Sequence, residues 1–240
     1  MYSATNVVTM QTGQDAKYQL EAKELVIGYP QRTICGPLNL QLSRGHGVGI
    51  IGANGSGKST LIRTILGHLA PVQGEIEFLG LPVNEDSMTF RQEVAVQVTD
   101  GTFFEELTVA EHLEIVARGH SLPSWEQKVQ AELDFFELQE VAGLLPGELS
   151  SGQRRKVLLA ATLIRPAQLV LLDEPEQRLD LRIRQKLYCR LATLRQSGTT
   201  LLVVTHDPQL LRNSLEHAML LDEDQGEMIS AESGAQWLER

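Results

Sequence analysis

The sequence predicts an α/β protein with a mostly parallel sheet, an N-terminal antiparallel β subdomain and an inserted α-helical subdomain. Three observations lead there. Short, wholly apolar runs at 169–172 and 201–204 have the length of strands buried on both faces. Before residue 45 the pattern alternates, with Leu20, Ala22 and Leu25, then Leu38, Leu40 and Leu42, as in paired strands with one buried face. Between about 100 and 150 the apolar spacing becomes helical and strand signals cease.

Residues 1–17 are polar and aperiodic and predict a flexible tail, leaving 18–240 as one domain. The two antiparallel strands are joined around Gly28-Tyr29-Pro30. Residues 47–51 are a short apolar strand running into a glycine-rich turn, and a helix follows from near Lys58 to Gly67. Strands are expected at 74–80 and 94–98. The helical insert carries Val109, Leu113 and Val116, then Val129, Leu133 and Phe136. Strand and helix then alternate: strand 169–173, helix 181–196, strand 199–205, helix 208–214 and strand 218–222, as in a parallel sheet. A short helix near 235–238 ends the chain.

At 240 residues the chain is long enough for a substantial core. Acidic residues outnumber basic ones by 31 to 21, so the surface repels polyphosphate backbones and nucleic acid is not an expected partner. A nucleotide site stays open, because phosphate binding needs only a few local donors. No apolar run approaches the ~20 residues that span a bilayer. The first 19 residues lack a basic start followed by an apolar stretch, so no secretory signal is expected. A membrane role would therefore come through a partner. Cys35 and Cys189 lack metal-ligand spacing and read as buried free thiols of a reducing, cytoplasmic setting. The run Arg154-Arg155-Lys156 reads as a solvated helix face.

Residues Gly52, Ala53, Asn54, Gly55, Ser56, Gly57, Lys58, Ser59 and Thr60 fit the pattern G-x-x-x-x-G-K-[ST], preceded by an apolar strand and followed by a helix. Glycines let the backbone turn tightly, so that successive N–H groups face phosphate oxygens. The positive end of the next helix adds to that attraction. Lys58 supplies a mobile cation for the β and γ phosphates, and the Ser59 hydroxyl suits Mg²⁺. The domain is thus expected to have the core of a P-loop NTPase.

The strand at 169–173 ends in Asp173 and Glu174. The C-terminal end of a buried parallel strand is where open α/β sheets bind ligands. Asp173 is the candidate metal carboxylate, held directly or through water. Glu174, pointing to the other side of the backbone, is the candidate base for the attacking water.

Leu149-Ser150-Ser151-Gly152-Gln153 resembles the Leu-Ser-Gly-Gly-Gln signature of ABC ATPases, about 20 residues before the strand that bears Asp173. Read locally, it is a serine and glycine turn that caps a helix. The resemblance extends over residues 18–225 and adds roles. Gln97 resembles the glutamine that senses Mg²⁺ and couples to the helical subdomain. His206 resembles the switch histidine at the γ-phosphate, Tyr29 the aromatic that stacks on adenine, and Asp180 the aspartate of the D-loop. The implied ligands are ATP and Mg²⁺. In this family the signature end, Ser150 to Gln153, completes the site of a second ATPase protomer, an identical chain or a paralogue, in a head-to-tail dimer.

The sequence departs from the family pattern at three positions. Ser151 stands where the signature has its first glycine, and costs about a kcal/mol or more if that backbone needs a positive φ. Gln177 and Arg178 replace small D-loop residues, from which slower or asymmetric hydrolysis is expected.

The resemblance implies an ATP-hydrolysing subunit that drives a separate transmembrane permease subunit. Such a chain is cytoplasmic, peripheral on the inner face of the cell membrane. The compact length is more like small exporters than sugar importers, by analogy. Two alternatives stay open: a soluble ABC ATPase of an assembly or repair machine, and a nucleotide-binding regulatory module without turnover. The missing coiled-coil insert and the acidity speak against the first, and Glu174 with His206 against the second.

Overall fold

The computed structural model describes residues 17–98, 103–222 and 225–240. The tail expected over 1–17 lies outside them except for Lys17. The chain opens with strands β1 (Leu20–Tyr29) and β2 (Arg32–Leu42), paired antiparallel with Leu20 opposite Leu42 and Ala22 opposite Leu40. Next come β3 (Gly47–Gly52), α1 (Lys58–Ile65), β4 (Gln73–Phe78) and the two-residue β5 (Leu81–Pro82). Helix α2 (Met88–Glu93) leads into β6 (Val94–Gln97). Helices α3 (Val109–Gly119), α4 (Trp125–Phe136) and α5 (Ser151–Leu163) follow, with no strand among the described residues between β6 and the end of α5. The rest alternates: β7 (Leu169–Asp173), α6 (Leu181–Gln196), β8 (Thr200–Val204), α7 (Pro208–Ser214), β9 (His217–Leu221), β10 (Gly226–Ser230) and α8 (Ala231–Leu238).

Two sheets result. A four-stranded antiparallel sheet has the order β2-β1-β4-β5, and a six-stranded one has β10-β9-β3-β8-β7-β6. In the larger sheet every pairing is parallel except that of edge strand β10 with β9. The apolar runs follow from its double burial. Val170, Leu172, Leu201 and Val203 face one core with the helices α3 to α8, while Leu169, Leu171, Leu202 and Val204 face a second core shared with α1 and the antiparallel sheet. Successive residues on a strand point to opposite faces, so a strand with a core on each side must be apolar throughout.

The expected α/β class, with its antiparallel β layer and helical insert, is the one observed. Several boundaries differ. The strand expected to reach residue 80 stops at Phe78, because Leu79 and Gly80 have positive φ (52° and 72°) and turn the chain into β5. Helix α2 carries a single buried residue, Phe90, too little to register as a period. The edge strand β10 is mostly exposed, and α8 begins four residues early on the Ser230 cap. The thiols are not both buried: Cys35 is, but Cys189 is exposed on α6. The Arg154–Lys156 run is not a solvated face either. Arg155 is buried, Arg154 donates to the Pro146 carbonyl at 2.9 Å, and Lys156 pairs with Asp180 at 3.3 Å.

A basic stripe on α6 fastens the helical insert to the sheet domain. Arg190 Nη1 donates to the buried Glu132 of α4 at 2.7 Å, Lys186 donates to the Phe135 carbonyl, and Arg182 pairs with Glu137 at 3.2 Å. Residues four apart share a helix face, so all three cations meet the C-terminal, partly negative end of α4.

Candidate functional site

Strands β3, β8 and β7 are parallel neighbours in register, with Ile50 beside Val204 and Val204 beside Asp173. Their C-terminal ends therefore share one edge of the sheet. A cavity of about 310 Å³ opens there, lined by Asn54, Gly55, Gly57, Lys58, Ser59 and Thr60 from one side and Asp173, Glu174 and His206 from the other. Ile34 and Val204 supply apolar wall.

The loop from 52 to 57 is shaped by backbone geometry. Gly57 caps α1 with φ 100°, a left-handed conformation that side-chain-bearing residues rarely adopt, and a Cβ there would lie 2.8 Å from Ile34. No side chain caps α1, and its first residues line the cavity, so its N–H groups and positive dipole end face that cavity, an arrangement suited to an anion. Lys58 is buried and folds back on the loop, its Nζ donating to the Gly52 carbonyl at 2.8 Å and the Ala53 carbonyl at 2.9 Å. Burial lowers its pKa, while Glu174 and Asp173 work the other way. Ser56 Oγ is buried and has no partner among the described residues. A buried hydroxyl without a partner inside this glycine-rich loop is a donor suited to an acceptor that the loop would bind.

Across the cavity, burial pushes the Asp173 carboxyl up to about 6, the Glu174 charge pushes the same way, and Arg155 and Lys58 partly offset it. The Ser59 hydroxyl and the Asp173 carboxylate form an all-oxygen donor set on a carboxylate short of counter-charge, which fits a hard divalent cation such as Mg²⁺. His206 Nε2 lies 3.3 Å from Glu174 Oε1.

The remaining sites expected from the sequence lie off the cavity wall. Gln97 is buried at the end of β6, in register with Leu172. Tyr29 is exposed where β1 turns into β2. Asp180 caps α6, accepting from Ile183 N at 2.9 Å. Among the described residues, none of Ser150, Ser151, Gly152 and Gln153 lines the cavity. Ser150 and Gln153 form a reciprocal capping box at the start of α5 (2.8 and 3.3 Å). Ser151 is the first helical residue and is not among the described positions with positive φ, so the strain foreseen for serine does not arise. The demanding position is its neighbour: a Cβ on Gly152 would lie 2.9 Å from the Arg178 carbonyl.

Three residues not singled out as site residues hold the site. Arg155 Nη2 donates to the Asp173 and Glu174 carbonyls (2.6 and 2.5 Å), tying α5 to the end of β7. The buried Glu176 accepts from Thr205 Oγ1 at 2.5 Å and from the His206 amide at 3.4 Å. Gln177 donates its side-chain amide to Glu174 Oε2. For Arg155 a usable signal was its place in the first turns of the helix that bears the signature.

Comparison with known proteins bears on the family and the fold. The sequence profile of the family described as "ABC transporter" matches residues 35–177. The Nod factor export ATP-binding protein I of Cupriavidus pinatubonensis is 34% identical over 189 residues, covering 78% of this chain and 58% of that protein. The protein of that name from Rhizobium etli is 34% identical over 180 residues, with 74% and 57% covered. The chain thus spans just over half the length of these relatives. Among solved structures, an ATP-binding subunit of an ABC transporter superposes with a TM-score of 0.81 at 26% identity, covering 92% of this chain and 93% of that one. A dimeric ATP-binding cassette in a post-hydrolysis state with ADP and Pi shares the fold, with a TM-score of 0.77 at 24% identity and 88% and 98% covered. With the 52–60 loop and the acidic strand end lining one cavity and a profile matching more than half its length, this chain belongs to the ABC transporter family.

Proposed function

We propose that this chain binds ATP with Mg²⁺, hydrolyses it, and uses the cycle to drive export through a separate transmembrane permease subunit. The observation that carries the reading is the meeting, at one sheet edge, of the 52–60 loop with Asp173, Glu174 and His206.

In this reading Lys58 exchanges its two neutral loop carbonyls for ionised β- and γ-phosphate oxygens, so that its ammonium pairs with opposite charge. The α1 amides and Ser56 hold the remaining phosphate oxygens, and Tyr29 stacks on adenine. Ser59, Asp173 and Gln97 would hold Mg²⁺, which supplies neutralisation of charge on the β and γ phosphates when bound. Glu174 accepts the proton of the attacking water as its oxygen bonds to the γ-phosphorus. The bond from that phosphorus to the bridging oxygen breaks, and ADP leaves with that electron pair. His206 steadies both the γ-phosphate and the Glu174 carboxylate. Residues Ser150 to Gln153 and Asp180, off the cavity of their own chain, serve the nucleotide of a second protomer.

Among the described residues no helix is long and apolar enough to cross a membrane, which fits a subunit that reaches the membrane through its permease, on the inner face. Export is favoured because the curated relatives are named for it. Glu174→Gln tests the site: the variant is expected to bind Mg·ATP, lose at least a hundredfold in turnover, and dimerise with ATP in sedimentation velocity. A variant that turns over at the wild-type rate, or stays monomeric with saturating ATP, refutes the proposal.

A further inference from the structure

We propose that Gln177 is a positioning residue for the Glu174 carboxylate. The inference rests on the reading of Glu174 as the base and adds how this chain holds it.

Every polar atom of Glu174 is engaged. Its amide donates to the Val204 carbonyl at 2.8 Å. Its carbonyl accepts from Arg155 at 2.5 Å and from the Gln177 amide nitrogen at 3.1 Å. On the carboxylate, His206 Nε2 sits at Oε1 (3.3 Å) and the Gln177 side-chain amide donates to Oε2. The two carboxylate oxygens are therefore held from opposite ends, by the β8 end and by the turn after β7. Glu174 is left-handed (φ 47°), and the turn it opens closes on the Gln177 N–H to Glu174 carbonyl bond, which brings position 177 back beside position 174. A residue with a short side chain at 177 could not reach the carboxylate. Glutamine reaches it, and its amide supplies a donor that pins the carboxylate's torsion while leaving further lone pairs for water.

Gln177 is exposed and takes no part in either apolar core, so replacing it spares the fold. This separates a positioning role from a structural one. A hydrogen bond to a charged group supports an effect on rate of about tenfold. Gln177→Ala and Gln177→Ser should each lower kcat for ATP by about tenfold and leave KM and the Kd for Mg·ATP unchanged, the reverse of the slowing that the family pattern leads one to expect from Gln177 itself. In a Glu174→Gln background, where no carboxylate remains to be aimed, Gln177→Ala should lower the single-turnover rate no further.

The proposal is overturned by any of three results with the full chain. These are an unchanged or raised kcat in Gln177→Ala, a loss confined to KM, and an equal loss in the Glu174→Gln background. If Glu174→Gln itself hydrolyses ATP normally, the base assignment fails instead, so the two failures are distinct.

Discussion

Arg155 joins the helix that starts at Ser151 to the strand end that bears Asp173 and Glu174, and Arg155→Met tests what that joint does. Methionine keeps much of the side-chain length and removes both donors and the charge. Each hydrogen bond from a charged donor contributes about 1.5–3 kcal/mol, so losing the bonds to the Asp173 and Glu174 carbonyls costs about 3–6 kcal/mol gross. Keeping a buried guanidinium carries a desolvation penalty of several kcal/mol, which the variant escapes. The terms oppose each other, and the unfolding free energy is expected to fall by only about 1–2 kcal/mol. Catalysis has no matching compensation. Released from α5, the 173–174 segment relaxes toward the cavity, and a displacement of about 1 Å costs roughly a hundredfold in rate. Urea unfolding followed by circular dichroism gives the first quantity, and steady-state hydrolysis of Mg·ATP the second. A variant that hydrolyses at near the wild-type rate refutes the tether. One that loses more than about 4 kcal/mol shows instead that Arg155 holds the whole fold together.

Two more expectations concern Asp173 and the start of α5. The Asp173 carboxyl sits at about 6 against an ordinary 3.8, so the folded state favours its protonated form. Its contribution is full below the ordinary value and is lost as pH rises through about 6. Without nucleotide and magnesium, wild type should lose stability relative to Asp173→Asn between about pH 4 and pH 7, and a difference flat over that range refutes this. At the helix start, Ser151→Gly should leave hydrolysis within about twofold and stability within about 1 kcal/mol, because the serine backbone is already helical. Gly152→Ala should cost more than Ser151→Gly in thermal unfolding, since its Cβ meets the Arg178 carbonyl at 2.9 Å; equal or reversed costs refute the close approach.

What could be read from the sequence followed from the strength of local rules. The parallel strands were legible because double burial forces uninterrupted apolar runs, and the phosphate loop because its glycines, lysine and serine each answer a separate demand of the backbone or the ligand. Elements that bury little left no period: α2 has one buried residue and β10 none. The fate of Arg155 was hidden for a different reason. A basic run on a helix looks solvated unless it is known which face meets another element, and only the placing of the start of α5 beside the end of β7 carries Arg155 to those carbonyls. Cys189 illustrates the same limit, since a thiol on a helix is buried or exposed according to what packs against its face.

Glu176 makes the case that the turn after β7 is shaped for more than folding. Its carboxyl is buried and pushed up by desolvation, and one oxygen has no partner among the described residues. A buried polar atom left unpaired costs about 1–3 kcal/mol, and an apolar residue there would avoid that cost. In return Glu176 accepts from Thr205 and the His206 amide, while Gln177, next in the chain, holds Glu174. Glu174 and His206 are thus braced by neighbouring residues of a single turn, so their separation is set within one chain. A site arranged in advance spends less reorganisation at the moment of reaction, which gives a buried acid a reason to stay where stability alone would remove it.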